Sequence, residues 1–130
     1  MYIYAIHSIH SHTSRLTEPD RMRLGEAFSQ AWEATEYAVW EAADDAASDA
    51  AALVGRSAIY TQVRWNSNWL SAVYASRGYW VASSAADYAL LAVLTYDLAR
   101  EDGPYRIVQR DLLLTPWVNV FGLPAGLPKK

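Results

Sequence analysis

The sequence predicts an all-α protein, a compact bundle of four or five helices preceded by a short N-terminal β-strand or extended arm. Residues 31–54 contain no glycine or proline and repeat alanine every fourth position, and residues 84–100 form a second run that is apolar almost all round. With 130 residues, of which 52% are hydrophobic and 19% charged, the chain can also bury one core. We therefore expect a strand or arm and loop over 1–16, a single helical domain over 17–122 and a flexible C-terminal tail over 123–130.

The first six residues alternate between the two sides of an extended chain. Tyr2, Tyr4 and Ile6 would lie on one side and Ile3 on the other, and aromatic and β-branched residues favour a strand. The polar residues 7–14 are predicted as a loop. Because a single strand is not stable alone, the sequence predicts a homodimer or higher oligomer with Tyr2, Ile3, Tyr4 and Ile6 at or near the contact.

A long helix is predicted to begin at Thr17 and to end at Gly55. Thr17 can accept a hydrogen bond from the amide of Asp20, and Pro19 suits the first turn of a helix. One face of this helix carries a stripe of alanines spaced four apart, namely Ala34, Ala38, Ala42, Ala46 and Ala50. A second row beside the stripe widens the face into a broad apolar band; its members are Ala31, Thr35, Val39, Ala43, Ala47 and Ala51. Small side chains let a neighbouring backbone approach closely. The face is interpreted as a tight core contact, and the alternative is a docking face for another protein or a second copy.

Three further helices complete the predicted bundle. Ser57 can cap a helix that runs to about residue 77. The helix over 84–100 is predicted to be the central, most buried element because it is apolar almost all round. A short helix is expected over 105–114, after which Thr115 caps a last helical turn.

Composition and charge exclude several classes of protein. The net charge of −3 argues against a general nucleic-acid binder, which needs a basic surface. The absence of cysteine excludes disulfides and thiolate metal sites. No apolar run reaches 18 residues, so no membrane span is expected, and the N-terminus lacks the pattern of a signal peptide. The expected compartment is therefore the cytoplasm.

The C-terminal ending carries a resemblance to known proteins. The ending DLLLTPWVNVFG, residues 111–122, follows an Ala/Trp/Asp-rich helical run. This combination resembles small Ala-rich proteins of actinobacteria and their phages, which have an AAWxAA-type tract before a DLLTxPWxxVxG ending. The resemblance covers the C-terminal two-thirds and implies a phage accessory protein. These proteins have no assigned activity, so it implies no functional residues. The Tyr- and His-rich N-terminus departs from the pattern.

All three histidines of the chain lie within six residues. His7, His10 and His12 are weak candidates for a metal site, because in a flexible loop they could converge on zinc or nickel. A catalytic zinc site needs three ligands together with positioned hydrogen-bonding partners for them and a general base, and no HExxH pattern is present. We expect a solvated loop and no cofactor.

A group of acidic residues in 33–49 contains no lysine or arginine. Its members are Glu33, Glu36, Glu41, Asp44, Asp45 and Asp49. Such runs are usually solvated helix faces. The functional alternative is a docking face for a basic partner, formed by Glu33, Glu41, Asp45 and Asp49. A third alternative is that Asp45 and Asp49 pair with Arg56 or Arg64 of the next helix.

Arginine, amide and aromatic side chains cluster in one further stretch. The candidate binding residues are Arg64, Trp65, Asn68, Trp69, Arg77 and Trp80. The rings could fill the core against the alanine faces, form a protein-binding hot spot, or stack on a nucleotide. The sequence contains no glycine-rich phosphate loop, serine elbow or cysteine nucleophile.

Three functions follow from these observations. The leading hypothesis is a non-enzymatic binding protein that occupies a protein partner, such as a phage-encoded inhibitor of a host defence system. The alternative is a protein that captures a nucleotide or similar planar small molecule in an Arg/Trp/Tyr pocket, and an enzyme is third. Exposed Trp32, Trp40 and Trp117 would favour a protein interface, whereas a concave pocket with Arg64 and Arg77 at its rim would favour ligand capture.

Overall fold

The computed structural model of the chain describes residues 1–65 and 80–128 and is helical. The helices are α1 (Ile3–Thr13), α2 (Glu18–Ala34), α3 (Tyr37–Leu53), α4 (residues 57–65), α5 (Trp80–Leu94) and α6 (Ile107–Phe121), with a 3₁₀ turn at Tyr96–Leu98. They pack as a bundle, so the predicted all-α class is confirmed. The described residues contain more helical segments than the four or five expected. One extra helix comes from the N-terminus, and another comes from a break in the long helix.

The predicted N-terminal strand is wrong, because these residues form α1. Ala5, Ile9 and Thr13 are spaced four apart, Ile6 lies three residues before Ile9, and all four are buried. The hydroxyl of Thr13 donates to the carbonyl of Ile9 at 2.8 Å. The strand-like alternation of side chains covers only six residues, whereas the helical spacing of apolar residues covers eleven. The helix buries its apolar face against α5. The oligomer was predicted because an unpaired strand edge needs a partner. A helix pairs its backbone hydrogen-bonding groups internally, so this reason for an oligomer no longer applies.

The start of α2 is confirmed and its predicted length is not. The hydroxyl of Thr17 accepts from the amide of Asp20 at 3.3 Å. Instead of continuing to Gly55, the helix ends at Ala34, and Thr35 adopts an extended conformation before α3 begins. The rings of Trp32 and Trp40 stack with their centroids 5.4 Å apart. In a continuous helix, eight residues would separate them by about 12 Å along the axis. The break therefore allows this aromatic contact.

The buried face of α3 is the second row of the predicted apolar band, beside the stripe. Trp40, Ala43, Ala47 and Ala51 are buried, and α3 packs on α5 and α6. Of the predicted stripe, three alanines are exposed and two half-buried; the exposed ones are Ala34, Ala38 and Ala42. The large ring of Trp40 sets the rotation of the helix, since it is fully buried and cannot turn outward without exposing its whole surface. One row of the predicted band, that of Ala43, Ala47 and Ala51, thus forms the close contact, and the stripe beside it is less buried.

The predicted central helix is confirmed in α5. All residues from Ala89 to Leu94 are buried, and α5 contacts α1, α2, α3 and α6. It ends at Leu94 rather than near residue 100. The hydroxyl of Thr95 donates to the carbonyl of Leu91 at 2.7 Å and lies 2.9 Å from the hydroxyl of Tyr105. No helix within 1–65 or 80–128 is long and apolar enough to span a membrane.

The last helix, α6, continues past the predicted stop. It includes Pro116, and the hydroxyl of Thr115 donates to the carbonyl of Asp111 at 2.7 Å instead of capping a new turn. The sequence predicts a loose tail over 123–130. In the structure, Leu127 is buried in the core, and Gly126 packs closely against Tyr4 of α1. The end of the described chain thus covers the start of α1.

Candidate functional site

An aromatic cluster lies between α2, α3 and α5. The ring of Phe28 stacks on Trp32 at 5.4 Å and on Tyr88 at 5.9 Å between centroids. Behind them, the buried ring of Trp40 lies 5.4 Å from Trp32 and 5.8 Å from Tyr88. Phe28 is near-parallel to Trp32 and Tyr88, and the three rings form an extended apolar wall in front of Trp40. Phe28 and Trp32 are four residues apart on one face of α2, which is why one helix contributes both.

A cleft of about 490 Å³ opens beside this wall. Small-molecule sites usually measure about 300–1,000 Å³. Its lining comes from α2, α3, α4 and α5: Phe28, Ser29, Trp32, Glu33, Asp44, Ser48, Tyr60, Arg64, Ser84, Asp87 and Tyr88. Four helices thus provide one concave surface that combines aromatic rings, hydroxyl groups and charged side chains.

The charged groups of the cleft are connected to one another. Arg64 donates from Nε to Oδ2 of Asp87 at 3.2 Å, which joins α4 to α5. The hydroxyl of Tyr60 donates to the backbone carbonyl of Asp87 at 3.4 Å, and the Arg64 guanidinium lies 6.0 Å from the Tyr60 ring. On α3, Ser48 donates to the carboxylate of Asp44 at 3.3 Å. These contacts hold the polar side chains at defined positions.

Burial changes the acidity of three cleft residues. It raises the pKa of the Tyr60 hydroxyl, with the Asp87 carboxylate as a second cause. It also raises the pKa of Tyr88 and the pKa of the Asp44 carboxyl. Desolvation disfavours the charged form of each group. Both tyrosines are therefore neutral hydrogen-bonding groups at neutral pH.

Only part of the predicted arginine and aromatic group can be located. Arg64 lines the cleft, as the ligand-capture hypothesis requires. Trp65 is 70% exposed. Asn68, Trp69 and Arg77 lie outside the described residues, as does the side chain of Trp80 at the start of α5.

The sequence reasoning missed most of the cleft. Trp32 and Trp40 were considered only as indicators of a protein interface, and Phe28, Tyr88 and Asp87 were not assigned to a site. One signal was available, since Asp87 is the sole charged residue in the mostly apolar stretch 80–94. A lone charge on a buried helix usually has a partner. Here that partner is Arg64, from a different helix.

The four candidate residues of the acidic docking face separate into two places. Glu33 lies on α2 and lines the cleft. Glu41, Asp45 and Asp49 are exposed on α3. The proposed pairing of Asp45 or Asp49 with the next helix is wrong for the described residues, because Arg56 binds Asp97 and Arg64 binds Asp87.

The three histidines lie on α1 rather than in a loop. His7 is exposed, whereas the ring of His12 packs 5.4 Å from Trp117 and 4.2 Å from Phe121. Burial lowers the pKa of His12. No three histidine, aspartate or glutamate side chains converge in a metal-binding arrangement within the described ranges.

Comparison with known proteins adds no functional residue to this description. Scans against protein-family models, curated proteins and solved structures find no match. The resemblance of the C-terminal ending to actinobacterial and phage proteins therefore stays a prediction. The cleft must be interpreted from its own geometry.

Proposed function

We propose that this chain is a binding protein without catalytic activity that captures a small planar molecule in the cleft between α2, α3, α4 and α5. The carrying observation is that four helices surround one concave site of ligand size, walled by stacked aromatic rings and supplied with hydrogen-bonding groups. Aromatic faces bind planar ligands by stacking, and a few fixed polar groups then orient them.

The positions of the tryptophans support ligand capture over a protein interface. Trp40 and Trp117 are buried, so neither is available to a partner. Trp32 is half-buried and lines the cleft. Arg64 lines it as well, as the capture hypothesis expects for a rim residue. An enzyme stays the third hypothesis, because the Asp87 and Asp44 carboxylates are already engaged by Arg64 and Ser48.

A variant that fills the cleft tests this proposal. Ser48 is exposed on α3 and lines the cleft, so Ser48→Trp should occupy the ligand volume without removing a core contact. Ala52 is also exposed on α3, one turn later and outside the cleft, which makes Ala52→Trp the matched control. We would titrate a panel of planar aromatic and heteroaromatic compounds by calorimetry against all three proteins.

The expected result is binding to the wild type and to Ala52→Trp, with affinity at least about tenfold weaker in Ser48→Trp. Trp32→Ala should also weaken binding about tenfold to a hundredfold, since a stacking contact contributes about 1–3 kcal/mol. If no compound binds at millimolar concentration, or if Ser48→Trp binds as tightly as the control, capture in this cleft is refuted.

A second candidate is the protein-binding function, which one observation favours. Glu41, Asp45 and Asp49 are exposed at four-residue spacing on α3, and none forms an ion pair with another described residue. The surface charge of these three residues would complement a basic protein partner. For a phage-encoded inhibitor, that partner would be the host protein that it occupies. The triple variant Glu41→Gln, Asp45→Asn, Asp49→Asn should release such a partner. A partner retained equally by wild type and variant would contradict docking at these three residues.

A further inference from the structure

The charges of the described cleft lining are unbalanced. Among the residues that the structure describes, three carboxylates line the cleft, those of Glu33, Asp44 and Asp87, against the guanidinium of Arg64. The guanidinium already donates to Asp87 at 3.2 Å, so the positive charge is largely compensated before any ligand enters. The carboxylates of Glu33 and Asp44 are then left in excess over the cations among the lining residues.

The end of α2 and the faces of the aromatic rings add further negative electrostatic potential to the cleft. Trp32 and Glu33 lie in the last turn of α2, where the helix dipole places partial negative charge. The faces of the aromatic rings are also negative, which is why they attract cations. The cleft lining therefore offers a negative potential next to a stacking wall.

We infer that the ligand captured in the cleft is a planar aromatic cation, a ring that carries a protonated amine or a protonated ring nitrogen. This inference rests on the proposed function and specifies its ligand class. A ring of this kind would stack beside Phe28 and Tyr88 while its charged nitrogen approaches Asp44 and Glu33. A nucleotide fits less well, since its phosphates would meet two carboxylates and an arginine that is already engaged.

Three probes that share one ring system test the charge of the ligand. They are 2-naphthylmethylamine, which is a cation at neutral pH, 2-naphthylmethanol, which is neutral, and 2-naphthoate, which is an anion. Each would be titrated by calorimetry into the wild type at low ionic strength and again at 0.5 M salt. The amine should bind about tenfold tighter than the alcohol, and the naphthoate should bind weakest. Salt should reduce the preference because it screens the carboxylates.

Charge-neutral variants locate the preference. Asp44→Asn keeps the shape of the side chain and an oxygen that can accept from Ser48, and it should lower the ratio of amine to alcohol affinity about fivefold. The neighbouring Asp45 is exposed outside the cleft lining, so Asp45→Asn should leave that ratio unchanged. Thermal melts of both variants check that the fold is retained.

The outcomes separate the inference from the proposed function. If the alcohol or the naphthoate binds as tightly as the amine, the cleft captures planar ligands but the inferred charge class is wrong. The inferred charge class is also wrong if Asp45→Asn changes the ratio of amine to alcohol affinity as much as Asp44→Asn does. If none of the three probes binds at millimolar concentration, capture of planar ligands fails, and the charge inference fails with it.

Discussion

Acid titration of Asp97 tests how the ends of several helices are held together. Its carboxylate accepts from Nη1 of Arg56 at 2.6 Å and from Nη2 at 3.2 Å, and the amino group of Met1 lies 3.3 Å away. These contacts join the residue between α3 and α4 to the 3₁₀ turn after α5 and to the start of α1. Chiefly through the Arg56 hydrogen bonds, the pKa of Asp97 falls from 3.8 to about 2.

The magnitude follows from the two pKa values. A lowering from 3.8 to about 2 corresponds to about 2.4 kcal/mol of stability at neutral pH, since each unit is about 1.4 kcal/mol. The Asp97 side chain is 32% exposed, and screening by water reduces our expectation to about 1–2 kcal/mol. Because the folded pKa lies below the unfolded one, this stability is present in full above about pH 5 and is lost as the pH falls from about 4 to 2.

Urea unfolding of wild type and Asp97→Asn between pH 7 and pH 2 measures the effect. The variant should be less stable by about 1–2 kcal/mol at pH 7, and the difference should shrink through the acidic window. Arg56 keeps its hydrogen bond to the carbonyl of Leu94 at 2.9 Å in the variant, so it is not left without a partner. Burial raises the pKa of Asp44, but its effect on the free energy of unfolding is the same in both proteins and cancels when the two are subtracted.

Asp102→Asn is the control for this experiment. Asp102 is exposed in the loop before α6 and forms no ion pair within the described ranges, so its variant should follow the wild type at every pH. A difference between wild type and Asp97→Asn that stays constant from pH 7 to pH 2 would refute the reasoning, because a lowered pKa requires a pH-dependent contribution.

Three further predictions concern packing and binding. Ala47→Leu should lower the free energy of unfolding by about 1–3 kcal/mol because Ala47 is fully buried, while Ala42→Leu should change it little; equal urea midpoints would contradict the assigned face. Gly126→Ala should lower the free energy of unfolding, because the new Cβ would lie 2.8 Å from the Tyr4 ring and the backbone φ of +95° disfavours a side chain. Gly25→Ala should raise that free energy by about 0.5–1 kcal/mol, because no atom lies within 4 Å of the new Cβ and alanine favours a helix. Binding of the amine probe should weaken on acidification as the Asp44 carboxylate is protonated, and the raised pKa of Asp44 moves this loss to higher pH. Calorimetric titrations at several pH values should show that Asp44→Asn removes this loss of affinity.

The fold class and the local signals could be read from the sequence because they depend on neighbouring residues. The cap formed by Thr17 needs only Asp20, and the burial of α5 follows from its apolar composition. The N-terminal residues were misread because six residues fit both periods. Only the pattern extended to Thr13 distinguishes a helix from a strand.

The break between α2 and α3 and the cleft depend on tertiary contacts. No glycine or proline marks Thr35, and the helix ends there in a conformation that lets Trp32 stack on Trp40. The cleft combines side chains from four helices, and only the position of Arg64 was anticipated as part of a ligand pocket. Pairing between Arg64 and Asp87, 23 residues apart, cannot be derived from periodicity.

The composition of the cleft lining differs from that of a packed core. A core normally fills such a space with large apolar side chains, because interiors are close-packed and voids lower stability. Here three serines, Ser29, Ser48 and Ser84, line the volume instead, beside a wall of large rings. Small polar side chains fill less of such a space than leucine or phenylalanine would, at the expense of apolar burial. Such an exchange of stability for an open polar site is typical of binding sites. The bundle has its close alanine contacts at α3 and α5, and the proposed ligand site lies beside the aromatic rings that line the cleft.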